Sequence, residues 1–141
     1  MTRSSLSRQR VNDELLWIPV SAGELVDKLS ILELKADRLG AADARSHAVN
    51  ERDLLADVYQ RAGLVLEPGV AALVEELKRV NAVLWEIEDE LRDLERAGEF
   101  GERFVAAARG VYLNNDRRAA IKRAINELVG SPLCEQKSHT R

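Results

Sequence analysis

Cysteine, proline, histidine and aromatic residues are scarce in this sequence of 141 residues, which has one cysteine, three prolines, two histidines and 4% aromatic residues. The single cysteine, Cys134, excludes an internal disulfide framework and a zinc site built from cysteines. The low aromatic content argues against an all-β sandwich. No apolar run approaches the ~18 residues of a membrane-spanning helix, so no span is expected.

Signals for catalysis and for targeting are also missing. His47 and His139 are far apart in the sequence, and neither has the spacing of a paired metal ligand, so no metal site is expected. No glycine-rich loop follows a strand, so a phosphate-binding nucleotide loop is not expected, and no cofactor is implied. Residues 1–10 are basic but are not followed by the apolar stretch of a secretory signal, which favours a cytoplasmic protein.

The charges are abundant and unevenly distributed. Hydrophobic residues make up 45% of the chain and charged residues 32%, as in a folded helical protein. Residues 1–101 hold 13 basic and 20 acidic side chains, a net charge of −7, whereas residues 102–141 hold 8 and 4, a net charge of +4. Oppositely charged segments of one small domain usually face each other or the same solvent. The alternative is that one of them forms a charged surface for a partner.

Capping residues and glycines divide the chain into helices. Ser21 and Glu24 have the spacing of a capping box and predict a helix over residues 22–39, ended by a left-handed Gly40. A second helix is predicted from about residue 41 to 62, and a third over residues 70–97. After Gly101 we expect two shorter helices, because the run Asn114-Asn115-Asp116 favours a break, and the second of them ends at Gly130.

The third predicted helix determines the expected architecture. Its apolar residues repeat at alternating spacings of four and three, a heptad seam typical of a coiled coil. These residues are Leu73, Leu77, Val80, Leu84, Ile87, Leu91 and Leu94. The sequence therefore predicts an all-α bundle of about five helices built on a long antiparallel helical hairpin. Residues 1–16 are expected to form a flexible basic arm, residues 17–130 a single helical domain and residues 131–141 a C-terminal arm.

Three cations of the first helix are candidate ligand-binding residues. Lys28, Lys35 and Arg38 lie between two groups of apolar side chains on a helical wheel. If both groups are covered, the cations are partly enclosed and need an anionic partner. That partner is either a carboxylate of the chain, such as Glu24 or Glu88, or a bound anionic ligand.

A second set of candidates follows the third helix and the C-terminal part of the chain. Asn81, Trp85, Glu88 and Arg92 share one face, which is either a packing tryptophan beside a Glu88–Arg92 ion pair or a mixed wall of a cleft. The last two predicted helices add Arg103, Tyr112, Asn115, Arg118 and Lys122.

Arg118 and Lys122 come one turn apart, near a predicted helix N-terminus that favours anions. Nucleic acid is not the expected partner, because the chain is acidic overall and no aromatic residues interleave the basic ones.

Three stretches of the chain resemble a bacterial and phage family of unknown function, the domain-of-unknown-function family numbered 6165. They are residues 19–35 (PVSAGELVDKLSILELK), 84–89 (LWEIED) and 115–126 (NDRRAAIKRAIN). The tail Glu135-Gln136-Lys137-Ser138 also fits, with His139 where the family pattern has tyrosine. The resemblance covers about residues 17–139 and carries no assigned reaction or ligand. It implies an accessory role in the assembly of bacterial surface glycans.

Two functional hypotheses of different classes follow. The first is a non-catalytic helical module that binds a protein partner or itself through the long heptad helix and complementary charge. The second is a small helical enzyme or sensor for an anionic metabolite, such as a carboxylate, a phosphate or a nucleotide sugar. The second predicts that Lys28, Arg38, Trp85 and Arg118 meet at one cavity.

Overall fold

A computed structural model describes residues 15–133, and within this range the chain forms four α-helices and no strand. The helices are α1 (Ala22–Arg38), α2 (Ala42–Arg61), α3 (Val70–Ala97) and α4 (Glu102–Val129), with a 3-10 turn at Leu64–Leu66. The all-α prediction is confirmed, but the expected number of five helices is wrong by one. Most of the predicted N-terminal arm, Cys134 and His139 lie outside the described residues.

The predicted N-cap at the start of α1 is confirmed, whereas the predicted left-handed glycine at its end is not. The Ser21 hydroxyl accepts a hydrogen bond from the backbone N–H of Glu24 at 3.1 Å, as an N-cap does. Helix α1 ends at Arg38, and Leu39 is already extended with φ −68° and ψ 131°. Gly40 has no positive φ, so the expected left-handed glycine is absent here, although Gly63, Gly98 and Gly130 adopt that conformation.

Helix α4 is continuous through Asn114, Asn115 and Asp116, where a break was expected. The Asn114 side chain donates to the carbonyl of Gly110, one turn earlier, at 2.8 Å. The side-chain oxygen Oδ1 of Asn115 accepts from Arg118 Nη1 at 3.5 Å. Because these side chains are satisfied within the helix, they do not draw the backbone into a turn. Packing along α3 therefore outweighs the weak helix propensity of this run.

Helices α3 and α4 form the long antiparallel hairpin that the sequence predicts. The two 28-residue helices are joined at Gly98–Gly101, and a Cβ built on Gly110 of α4 would lie 3.1 Å from Ile87 of α3. Helix α1 lies on one half of this hairpin, antiparallel to α4, since Gly23 contacts Asn126 while Asp27 contacts Arg118. Helix α2 folds back on α1.

The half of the hairpin under α1, here called the proximal half, comprises residues 70–84 and 115–129. The main core cluster is formed there by α1, α3 and α4: Val26, Leu77, Val80, Leu84, Ile121 and Ile125. The distal half comprises residues 85–97 and 102–114, and only Leu94 and Ala107 of these are buried. Within residues 15–133, no helix has the length and apolar character needed to cross a bilayer.

Candidate functional site

The polar residues of α1, α3 and α4 meet in the proximal half around one buried carboxylate. Asp27 is 1% exposed. Its Oδ1 accepts from Asn81 Nδ2 at 3.0 Å and from Arg118 Nε at 2.8 Å, and its Oδ2 accepts from Arg118 Nη2. Arg118 thus binds Asp27 through two donors, the geometry that makes an arginine–carboxylate pair both strong and directional. Asn81 Nδ2 also lies 3.2 Å from Ser30 Oγ, which ties α3 to α1.

A second ion pair extends this cluster toward the N-terminus of α1. Lys122 Nζ lies 2.7 Å from Glu24 Oε2 and 3.9 Å from Asp27 Oδ2. Only 11% of the Lys122 side chain is exposed, so its charge depends on these two carboxylates for compensation. We call Glu24, Asp27, Ser30, Asn81, Arg118 and Lys122 the polar cluster.

Helix α1 approaches α4 closely at Gly23. The backbone N–H of Gly23 donates to Asn126 Oδ1 at 2.7 Å, and both residues are buried. A Cβ built on Gly23 would lie 2.4 Å from the Lys122 carbonyl oxygen, so a side chain at this position would force the helices apart. The contact brings Glu24 and Asp27, one and four residues later, alongside the cations of α4.

The polar cluster is neutralised by the chain itself. Among the described residues, no buried side-chain nitrogen or oxygen lacks a hydrogen-bond partner. Since a buried, satisfied ion pair needs no further ion, the geometry accounts for Asp27, Arg118 and Lys122 as structural groups that fix how α1 sits on the hairpin.

The remaining predicted cations of α1 and α4 lie elsewhere, and three of them contact other carboxylates. Lys28 pairs with Glu51 of α2 at 3.3 Å, and both side chains are about half exposed. Arg38 pairs with Glu86 of α3 at 2.7 Å. Neither of these partners is the expected Glu24 or Glu88. Arg103 pairs with Glu90 at 3.3 Å, and Lys35 is exposed.

The structure brings together only part of the predicted site. Asn81, Asn115, Arg118 and Lys122 belong to one hydrogen-bonded region. Trp85 is half-buried on α3, and Glu88 and Tyr112 are exposed. Arg118 and Lys122 lie inside α4 rather than near a helix N-terminus, so the anion-binding backbone donors expected beside them are not there.

Asp27 and Ser30 are the members of the polar cluster that the sequence analysis missed. They lie three residues apart on α1, between the buried residues Val26 and Leu32. Polar residues at i and i+3 on an apolar helical face were the available signal, because such positions require buried partners.

Three helices also meet around Lys78 on the surface of the proximal half. Lys78 Nζ lies 3.1 Å from Glu33 of α1 and 3.6 Å from Glu75. Burial alone would lower the pKa of Lys78, but hydrogen bonds and charges from Glu33 and Glu75 raise it above its ordinary value. Burial raises the pKa of Tyr59 of α2, and the nearby positive charge of Lys78 offsets part of that rise.

The acidic run of α3 lies at the distal end of the hairpin. An open depression of about 530 Å³ there is lined mainly by Glu86, Asp89, Glu90, Asp93, Glu99 and Arg103. Within the described part of the chain, no group of three or more histidine, cysteine, aspartate or glutamate side chains is arranged to hold a metal ion.

The groove between α3 and α4 that holds α1 continues into the distal half, and within residues 15–133 no helix lies in this continuation beyond the Arg38–Glu86 pair. On α4, Asn115, Arg118 and Lys122 face α1, and the same helical stripe continues toward the hairpin tip with apolar residues at spacings of four, three and four. These residues are Val111, Ala108 and Phe104. On α3 the stripe of Asn81 continues with Trp85. We call Trp85, Phe104, Ala108, Val111 and Tyr112 the distal groove.

The fold and this site define the chain as a hairpin-based helical bundle with an internally paired polar cluster and a half-open groove. Residues 16–141 match a family described as a family of unknown function (DUF6165), and the chain belongs to that family. No curated protein and no solved structure matches the chain.

Proposed function

We propose that this chain is a non-catalytic helical interaction module that associates with a second protein chain, in the first instance with another copy of itself. The observation that carries the proposal is the location of its exposed large apolar side chains. Nine of the fifteen found in the described residues lie in two stretches of the chain: Leu15, Leu16, Trp17, Ile18 and Val20 before α1, and Phe100, Val105, Tyr112 and Leu113 at the hairpin tip and in the distal part of α4. Grouped exposed apolar residues mark interaction surfaces more often than scattered ones do.

The composition of these surfaces is that of a protein interface. Tryptophan, tyrosine and phenylalanine are enriched where proteins bind each other, because a large rigid side chain gains much contact area at little entropic cost. Trp17 is 79% exposed and Tyr112 is 52% exposed. Leaving such side chains in water gives nothing to the stability of one copy, so their burial favours association.

The charged residues point the same way. An anionic metabolite at Arg118 or Lys122 would have to displace Asp27 or Glu24, and displacing Asp27 would leave a buried carboxylate without its cations. A second copy on the apolar surfaces displaces only water. This difference favours the interaction module over the enzyme or sensor.

Sedimentation velocity of the full chain from ~1 µM to ~100 µM tests self-association over the affinity range of transient interfaces. We expect the weight-average mass to rise from the 15.7 kDa of one chain toward twice that value. A mass that stays at 15.7 kDa over the whole range contradicts self-association.

The metabolite-binding alternative has its own readout. Thermal unfolding in the presence of carboxylates, phosphates and nucleotide sugars would show a ligand, because a compound at 100 times its Kd adds ~2.7 kcal/mol to the free energy of unfolding. A stabilising compound whose effect is lost in Arg118→Gln would favour the sensor. An accessory role in surface-glycan assembly rests on the family resemblance. It would be supported if nucleotide sugars stabilised the folded chain and the carboxylates and phosphates did not.

A further inference from the structure

We infer that the apolar segment before α1, residues 15–20, docks into the distal groove of a second copy, so that each chain of a symmetric dimer completes the groove of the other. This inference rests on the proposed self-association and names the two surfaces that meet. It begins from an incomplete feature of the fold: α1 fills the groove between α3 and α4 only as far as Arg38, which pairs with Glu86.

The distal groove has the character of a site for an apolar chain segment. Phe104, Val111 and Trp85 are half-buried, and Ala108 and Tyr112 are exposed. The small side chain of Ala108, between Phe104 and Val111, leaves room on the stripe for a side chain from outside. In the proximal half, the same stripe of α4 carries Arg118 and Lys122, whose hydrogen-bond partners come from α1. In the distal half the stripe is apolar, so its matching partner is an apolar segment.

The apolar segment supplies such a partner. Residues 15–20 form no helix, and five of their side chains are between 45% and 87% exposed. Pro19 lacks a backbone N–H and keeps the residue before it extended, which lowers the cost of burying this segment. Trp17 provides the large aromatic side chain typical of the centre of an interface.

The segment cannot reach the distal groove of its own chain. Helix α1 has 17 residues and is therefore about 25 Å long. The groove begins at the level of the Arg38–Glu86 pair, at the C-terminal end of α1, and runs toward the hairpin tip, whereas the segment precedes the N-terminal end of α1. The five steps from Trp17 to Ala22 span about 17 Å even when fully extended, so Trp17 falls short of that distance. A second copy is thus the source of the segment that fits.

Charge complementarity supports the same pairing. Residues 86–99 of the distal half hold seven acidic and two basic side chains. Residues 1–10 hold three arginines and no acidic residue, and Asp13 and Glu14 separate them from the apolar segment. Docking with residue 15 nearest the hairpin tip would bring the arginine-rich residues toward the acidic end of the partner. In a twofold-symmetric dimer, each chain gives its segment to the groove of the other, so the contact is made twice. No segment or groove is then left to bind a third chain.

The first test compares two matched substitutions in the full chain. Leu16→Glu changes a side chain that is 87% exposed in the apolar segment, and Leu66→Glu changes one that is 84% exposed in the 3-10 turn. Both leave the folded core untouched. We expect Leu16→Glu to raise the dimer Kd by about tenfold or more and Leu66→Glu to leave it unchanged, by sedimentation velocity. Equal effects of the two variants would overturn the inference.

The second test locates the contact directly. In a Cys134→Ser background, the chain with Ile18→Cys, which leaves Trp17 in place, is mixed with the chain with Ala108→Cys under oxidising conditions. We expect a disulfide-linked dimer from the mixture and much less from either variant alone or from Leu66→Cys mixed with Ala108→Cys. Docking of residues 15–20 into the distal groove is refuted if the wild type dimerises, no such cross-link forms and Leu16→Glu has the wild-type Kd. Self-association itself would still hold in that case. A wild-type chain that is monomeric throughout refutes self-association itself.

Discussion

The two halves of one hairpin are stabilised differently. In the proximal half, nine residues of α3 and α4 are buried, and three of them, Asn81, Lys122 and Asn126, are polar. In the distal half, two are buried and both are apolar. A buried polar group requires a hydrogen-bond partner at a defined position, whereas an apolar side chain is stabilised by burial against any apolar surface that fits it. The proximal half therefore fixes where α1 lies, and the distal half remains able to accept a chain from outside.

The largest expected effect is the loss of the carboxylate at the centre of the polar cluster. Asp27→Ala removes the partner of Arg118 and of Asn81, and a buried ion pair broken on one side costs ~3–5 kcal/mol. We expect urea unfolding to show a loss of this size. Asp89→Ala, an exposed carboxylate of the distal half, is the control and should change the free energy of unfolding by less than about 0.5 kcal/mol. Similar losses in the two variants would contradict the difference between the halves.

The sequence predicted the elements well but not their partners. Ser21 and the apolar spacing of α3 signal structure locally, through capping and periodicity, and the predicted N-cap and the predicted helix over residues 70–97 are confirmed. The pairing of Asp27 with Arg118 joins residues 91 positions apart, and no local pattern specifies which cation meets which carboxylate.

The continuity of α4 was missed for the same reason. Asn114 and Asn115 favour a turn in isolation, but α3 offers a surface for the whole length of the helix. The preference of these asparagines for a turn contributes less free energy than the packing of the helix on α3. The candidate site was likewise predicted in part: the cations of α4 were identified, but the α1 carboxylate that holds them was not.

A second prediction tests how closely α1 must approach the proximal half. Gly23→Ala places a Cβ 2.4 Å from the Lys122 carbonyl oxygen, and overpacking of this kind costs ~1–3 kcal/mol. We expect the melting temperature to fall. Gly40→Ala is the matched control, because its Cβ meets nothing within 4 Å and its φ is not positive. The control should be neutral or slightly stabilising, and a stable Gly23→Ala would show that the helices can separate at no cost.

The third prediction concerns the cap of α1. Ser21→Ala removes the oxygen that accepts from the Glu24 N–H, and we expect a loss of ~1 kcal/mol in urea unfolding. Ser46→Ala, on the exposed surface of α2, removes the same hydroxyl without removing a cap and should have little effect. An unchanged Ser21→Ala variant would mean that Asn126 and Lys122 hold the start of α1 without its cap.

The smallest expected effect is a pH dependence at the surface of the proximal half. The pKa values of Lys78 and Tyr59 are both raised in the folded chain, so the folded state holds these protons more tightly than the unfolded state does. The resulting stabilisation is complete below the unfolded pKa values, which are 10.5 for Lys78 and 10.0 for Tyr59, and is lost as the pH rises through the folded values.

The melting temperature should therefore fall above about pH 10, and more steeply in the wild type than in the double variant Glu33→Gln, Glu75→Gln. The variant lacks the carboxylates that raise the pKa of Lys78, so less stabilisation remains to be lost. Glu51→Gln removes the exposed partner of Lys28 and serves as the control, with a slope close to that of the wild type. Parallel slopes in all three chains would mean that the Lys78 cluster contributes no more than an ordinary surface ion pair, and that the distinctive electrostatics of the proximal half are confined to Asp27 and its partners.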